Sequence, residues 1–302
     1  MAENGCEFTR DDAVIPVSDT TLSGWYYRPF LQGLLPVIVM AHGYAAIKEL
    51  YIDKFAEAFA GAGFTVLLYD HRNFGKSGGV VRGEVDPWQQ VRDMRDVITW
   101  VRLQPGVDAE RVGVWGPSYC GGHAIVVGAL DRRVRCVVAQ VPTISGYETF
   151  LRRVAPHQID GLRAAFAEDR AGRVLGKAPA TRPLIPEGDA PGIFNSPDAI
   201  DFFGAARTLS PDWRNAVTLR SVEMASEYDP GLYLDRVSPT PLLMVVAAKD
   251  VVTPTDLALA AHRRAAEPKG LCLMSCGHFD TYTTHFEPAA AAARDWFLRH
   301  LR

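Results

Sequence analysis

The run Val112-Gly-Val-Trp-Gly-Pro-Ser-Tyr-Cys-Gly-Gly-His-Ala124 sets one serine between an apolar stretch and a segment that opens as a helix. Gly116 and Cys120, two residues to either side of Ser118, are both small. This is the pattern of a nucleophile elbow. A sharp strand-to-helix turn strains the serine backbone, and bulkier neighbours would collide. The strand is expected through Trp115 and the helix from Cys120, with Gly121 and Gly122 allowing the helix to pack close to the strand. The helix N-terminus would aim N–H groups and a positive dipole end at a developing oxyanion. A serine hydroxyl is a weak nucleophile at neutral pH, so acyl transfer also needs a base and a group that orients it. A serine that merely caps a helix is the competing reading, and the rest of the chain has to separate the two.

Expected elements supply the context. Residues 7–29 read as an antiparallel hairpin around Ser18-Asp-Thr-Thr21. Pro36–Ala41, Phe64–Tyr69, Val134–Val141, Pro241–Ala247 and Gly270–Ser275 read as buried strands. Between them, Ile47–Gly63, the segment after Asp86-Pro87, Pro254–Ala266 and Pro288–His300 carry helical spacing or helix-start signals. Alternating strands and helices predict an α/β chain with a mostly parallel, doubly wound sheet and an N-terminal antiparallel hairpin. Ligands of such sheets bind beyond the strands' carboxyl ends. His42, Asp70, Ser118, Asp250 and His278 all fall there.

One segment breaks the alternation. Residues 145–237 contain amphipathic pieces joined by proline turns and no clear buried strand, as an inserted helical cap would. The expected organisation is a core in two parts, 1–144 and 238–302, with the cap at 145–237. An independent domain is the alternative for the insertion.

Composition excludes several classes. The 302 residues are 48% hydrophobic and 22% charged, with a formal net charge of -3. No strong field favours nucleic acid or an anionic membrane. The five cysteines lie mostly in apolar runs and do not read as a disulfide framework. Cys272 and Cys276 lack a second ligand pair at zinc spacing, so no metal is expected. Glycine-rich segments lack P-loop and dinucleotide spacing, so no cofactor is expected either. No signal peptide and no membrane-spanning run are visible, which makes a reducing cytoplasm the expected compartment.

The order serine, acid, histidine (Ser118, Asp250, His278) is that of an α/β-hydrolase. With His42-Gly43 after the first central strand, Asp70-His-Arg72, Gly75-Lys-Ser77, the elbow, Asp250 with Pro254, and Gly277-His278-Phe-Asp280, the chain resembles the α/β-hydrolase superfamily over nearly its whole length. Within it, the chain is most similar to capped hydrolases near the X-Pro dipeptidyl-peptidase/acyl-esterase group and the fungal polyketide transferases. Cys120 departs from the usual elbow. The resemblance implies Ser118 as nucleophile, His278 as base and Asp250 as its orienting acid. Asp256 and Asp280 are the rivals of Asp250. The N–H groups of Tyr44 and Tyr119 would form the oxyanion hole, where losing one donor removes about 3 kcal/mol. His123 is expected to pack in the core, and Asp70 and Arg72 to build a turn.

The expected reaction is hydrolysis of a carboxylic ester or thioester through a Ser118 acyl-enzyme. Phe150, Phe202, Phe203 and Trp213 in the cap favour a hydrophobic acyl or small aromatic group over a charged one. An acyltransferase with the same triad is the alternative. A carbon–carbon bond hydrolase and a non-enzymatic receptor stand further off. A dipeptidyl peptidase would need acidic residues for a free amino terminus, with Glu148 and Glu223 the candidates. The expected partner is a small-molecule ester, thioester or other acyl donor, and a homodimer is allowed.

Overall fold

The structure, a computed structural model, describes residues 5–301. Five strands, β2 (Thr20–Pro29), β3 (Leu35–Ala41), β4 (Thr65–Tyr69), β5 (Val107–Pro117) and β6 (Val134–Gln140), share one sheet with β1 (Phe8–Val17), β9 (Leu242–Ala247) and β10 (Lys269–Met274). The order across the sheet is β1-β2-β4-β3-β5-β6-β9-β10. β1 runs antiparallel to β2, and β2 antiparallel to β4. Every other neighbouring pair is parallel. The central strands are buried on both faces, Val37 to Ala41 and Leu67 to Tyr69 completely so, which is why they read as continuous apolar runs.

Helices α1 (Asp53–Gly61) and α9 (Phe286–His300) pack together on one face. The other face carries α2 (Pro87–Arg102), α3 (Ser118–Leu130) and α8 (Thr255–Arg264). Asp86 caps α2, accepting from the Gln89 N–H at 3.0 Å, with Pro87 in the first turn. α3 is buried from Tyr119 to Ala129. It is therefore apolar all round and shows no amphipathic stripe.

Two boundaries differ from expectation. α3 begins at Ser118 itself, because the chain leaves β5 and turns helical within one residue. α1 begins at Asp53, well after Ile47. Residues 44–52 form a loop instead, with Ala45 (φ 52°) and Tyr51 (φ 64°) in the left-handed region. The loop is held by Lys48, whose N–H and ammonium both reach Asp70, at 2.8 and 2.6 Å. Lys48 and Asp70 are 2% and 0% exposed, so each charge depends on the other.

Between β6 and β9 lie α4 (Gly146–Arg153), α5 (Pro156–Val174), the two-residue pair β7 (Thr181–Arg182) and β8 (Val217–Thr218), α6 (Pro197–Leu209) and α7 (Leu219–Ser226). A 3-10 turn follows at Pro230–Arg236. α5, at 19 residues, is the longest of these helices. Leu162 and Phe166 pack with Leu219 in a small apolar cluster separate from the main core.

Replacing Lys48 with methionine strands the Asp70 carboxylate in the interior. Chemical denaturation should show a loss of about 3–5 kcal/mol, and Lys48→Met with Asp70→Leu should recover a large part of it.

Candidate active site

Ser118 has φ +54°, a left-handed conformation that costs a non-glycine residue about 1–3 kcal/mol. Neighbouring groups hold it there. Its carbonyl accepts from the Thr143 N–H at 2.9 Å. A Cβ on Gly116 would lie 2.2 Å from the Cys120 carbonyl oxygen, so only glycine fits beneath the turn. A Cβ on Gly121 would meet Pro142 at 2.9 Å and the Gly116 carbonyl of β5 at 3.1 Å, so this glycine lets the helix pack close to the strand, whereas Gly122 faces Pro230 of the 3-10 turn at 2.8 Å. The Cys120 side chain is fully buried behind the elbow, and burial pushes its thiol well up. No side-chain hydrogen bond caps α3, whose N-cap is Pro117, so Ser118 is not a capping serine.

The Ser118 hydroxyl lies 3.1 Å from His278 Nε2. On the other side of the ring, Nδ1–H donates to Asp250 Oδ2 at 2.7 Å. The second carboxylate oxygen, Oδ1, accepts from the N–H groups of Val252 and Thr253, both at 2.8 Å. His278 and Asp250 are 3% and 6% exposed. The rival acids are engaged elsewhere. Asp256 pairs with Arg152 at 2.6 Å, and Asp280 accepts from the Gly277 N–H at 2.8 Å. Such a chain can pass the Ser118 proton to His278 and hold the resulting imidazolium against a fixed carboxylate.

Thr253 is a residue the sequence pattern did not single out. Its hydroxyl lies 2.9 Å from Asp250 Oδ2, 2.9 Å from the Val141 carbonyl and 3.3 Å from His278 Nδ1. It fixes the acid loop to the end of β6. No sequence motif marks a threonine three residues after the acid.

Gly43 crosses directly over the elbow: a Cβ there would sit 3.2 Å from Ser118 Cβ. Tyr44, which follows Gly43, lines the large cavity together with Ser118 and Tyr119. Tyr119, as second residue of α3, has no helical carbonyl one turn back to bond. His42 locks the crossing loop. Its Nδ1–H donates to the Gly43 carbonyl at 2.8 Å, and its Nε2 accepts from the His71 N–H at 3.0 Å. Burial lowers its pKa to about 4, so the ring stays neutral and keeps this tautomer. His123 sits deeper, between Tyr228 and Gln90 at 2.9 Å each, as core packing. Asp70 holds Lys48, and Arg72 binds Asp93 at 2.7 Å, so both build the frame.

Two spaces meet at Ser118. The larger, 640 Å³, is walled by α4, α5, α7 and the 191–195 loop, and includes Tyr44, Phe150, Leu162 and Phe194. The smaller, 30 Å³, reaches His278 and is closed by Phe202, Phe203, Phe279 and Tyr282. Phe150 therefore faces the large space, and Phe202 and Phe203 face the small one. Trp213 lines neither. Its indole N–H donates to the Ala45 carbonyl at 3.1 Å, which ties the inserted helices to the loop that bears Tyr44. Cys276, Asp280 and His285 are the described residues whose geometry comes nearest to a metal site, with one ligand atom of each within 4.8 Å of the others. Asp280 already serves Gly277, and no group of the triad belongs to this set. No helix among the described residues is long and apolar enough to cross a membrane.

Gly116→Ala should prevent the elbow from forming, leaving little folded protein by circular dichroism and size-exclusion chromatography. Thr253→Val should fold but lose the hydroxyl contact to Asp250. A hydrogen bond to a charged group contributes about 1.5–3 kcal/mol, so kcat on an ester substrate should fall by about tenfold to a hundredfold.

Comparison with known proteins places this geometry. A family model for X-Pro dipeptidyl-peptidase (S15 family) matches residues 20–177. The chain is 35% identical to a thiohydrolase of Aspergillus aculeatus, aneE, over 84% of this chain and 81% of that one. It is 31% identical to the quorum-quenching protein AidA of Acinetobacter baumannii, over 90% and 88%. It is 28% identical to the polyketide transferase grgF of Penicillium, over 100% and 98%. The crystal structure of α/β hydrolase GrgF from Penicillium superimposes with a TM-score of 0.84 at 27% identity, covering 97% of this chain and 99% of that one. On this match and this fold, the chain is an α/β-hydrolase enzyme and belongs to the X-Pro dipeptidyl-peptidase S15 family.

Proposed function

We propose that the protein is a serine hydrolase of carboxylic esters or thioesters, working through an acyl-enzyme on Ser118. The observation that carries this reading is the continuous chain from Ser118 Oγ through His278 to Asp250, opening on a mostly apolar cavity. His278 takes the hydroxyl proton as Ser118 attacks the carbonyl carbon. The N–H groups of Tyr44 and Tyr119 hold the oxyanion. Collapse of the tetrahedral adduct expels the alcohol or thiol, which receives the proton from His278. Water then enters on the histidine side and gives up its proton to the ring, and the acid is released.

The two spaces divide the substrate. The leaving group must reach His278, which lines the smaller space, so the acyl group is assigned to the larger cavity. The names of the relatives support this choice of bond, since a thiohydrolase cleaves thioesters. A peptidase reading finds less support despite the family. No aspartate or glutamate among the described residues lines the large cavity to receive a free amino terminus. Of the two candidates, Glu223 is bound by Arg170 at 2.5 Å and Glu148 sits outside the lining. Transfer to an alcohol in place of water is the second reading, favoured by the relative named a polyketide transferase.

Native protein should release p-nitrophenol from acyl esters of graded chain length, and Ser118→Ala should lose about 10⁴-fold or more in kcat. Intact-mass analysis should find the acyl group on Ser118. Undiminished turnover by Ser118→Ala would rule the mechanism out. Product partitioning with added alcohols distinguishes transfer from hydrolysis.

A further inference from the structure

The large cavity has a charge pattern at odds with the chain that builds it. The protein as a whole is net negative, yet the cavity is lined by Arg153 and Arg182 with no aspartate or glutamate among the described residues. Arg153 is the last residue of α4. One of its N–H groups donates to the Val252 carbonyl at 3.0 Å, and its guanidinium stacks over Phe194 at 4.8 Å from the ring centre. It has no carboxylate partner among the described residues. The preceding Arg152 takes Asp256 instead.

A guanidinium has five N–H donors in a planar fork, and among the described residues one acceptor, the Val252 carbonyl, is found for them. Arg153 is exposed at the cavity wall; desolvation by the surrounding protein lowers its pKa from the ordinary arginine value, and the nearby Asp250 carboxylate opposes that shift. A carboxylate offers two acceptors matched to the fork. The position is also close to the chemistry. Phe194, which Arg153 covers, meets the Tyr44 ring at 6.4 Å, and Val252 lies in the loop held by Asp250. Apolar side chains, among them Phe150, Val154, Leu162 and Val222, make up much of the remaining wall.

We propose that Arg153 binds a carboxylate carried on the acyl chain, so that the preferred substrate is a half-ester or half-thioester of a dicarboxylic acid. This rests on the acyl-transfer reading above, and it departs from the expectation, drawn from the aromatic content of the insertion, of a hydrophobic acyl or small aromatic group. The anion is assigned to the acyl side because Arg153 lines the large cavity and not the space that reaches His278. Arg153 is a specificity residue in this account: it holds the far end of the acyl chain and takes no part in bond making.

The test compares mono-p-nitrophenyl adipate with p-nitrophenyl hexanoate, which have the same chain length and differ in the terminal carboxylate. The native enzyme should favour the adipate half-ester in kcat/KM by tenfold or more. Arg153→Gln should cut that ratio by at least tenfold, mainly through KM, and Arg153→Lys should restore part of it. Equal losses on both esters would show that Arg153 only tethers α4 to the Val252 loop, and would overturn the proposal. Calorimetry on Ser118→Ala protein reads binding without turnover. The half-ester should bind, and adding Arg153→Gln should weaken it at least tenfold. If that preference is present while native protein turns over neither ester, the acyl-transfer reading fails and the carboxylate site stands. If the preference is absent, the carboxylate site fails whatever the turnover. A pair of thioesters with pantetheine and pantetheine 4′-phosphate as leaving groups completes the test. Arg153-dependent preference for the phosphorylated one would place the anion on the leaving group and overturn the assignment to the acyl chain.

Discussion

Ser118 is held in a left-handed backbone conformation, and the surroundings of the active site follow from keeping it there. The strain is local, so the forces opposing it must be local too. The space under the turn is filled by the Cys120 carbonyl, which Gly116 alone can accommodate. The loop after β6 closes on the serine from one side through the Thr143 N–H. Gly43 closes on it from above, near enough that any side chain there would press on Ser118. A residue over-determined in this way presents its hydroxyl at a fixed position, 3.1 Å from His278 Nε2.

A second tier of buried polar contacts fixes the groups around the serine. Lys48 and Asp70 pin residues 44–52, and His42 ties Gly43 to the backbone of His71. Trp213 adds a bond from the inserted helices to the same loop. None of these groups touches the position of a substrate carbonyl, yet together they set where the Tyr44 N–H points. Burial keeps His42 neutral, and a neutral ring can donate from one nitrogen and accept at the other. Had it been charged, both nitrogens would be donors and the contact to the His71 N–H would be lost. Thr253 has the corresponding role on the acid side, joining Asp250 to the end of β6.

The family and the cavity speak to different questions. The S15 family match spans residues 20–177, which include Ser118 and most of the sheet's central strands. What is cleaved depends on the walls contributed by the inserted helices, and these carry arginines where an amino-terminal peptidase would need acids. The frame and the helices between β6 and β9 contribute different parts: the sheet and its loops position Ser118 and His278, and α4, α5 and α7 wall the large cavity.

The sequence by itself was sufficient for the parallel sheet, the elbow and the placement of His42, Ser118, Asp250 and His278 at strand ends. Short continuous apolar runs bounded by polar or turn residues fit covered strands, and each run stops where a polar residue appears. Local pattern also identified Asp86-Pro87 as a helix start, because capping involves neighbours in the chain. Helix α1 was misplaced toward Ile47, since the apolar residues before Asp53 pack in a loop held by Asp70, which is distant in sequence. Trp213 had the composition of a pocket residue, but its indole turned to Ala45. Thr253 and Arg153 carry no motif at all. Their surroundings come from the acid loop, β6 and the 191–195 loop, which only folding brings together. Periodicity and chain order reveal which residues lie at one edge of a sheet. The contents of a cavity between insertion and core depend on contacts between segments far apart in sequence, and only the tertiary structure decides those.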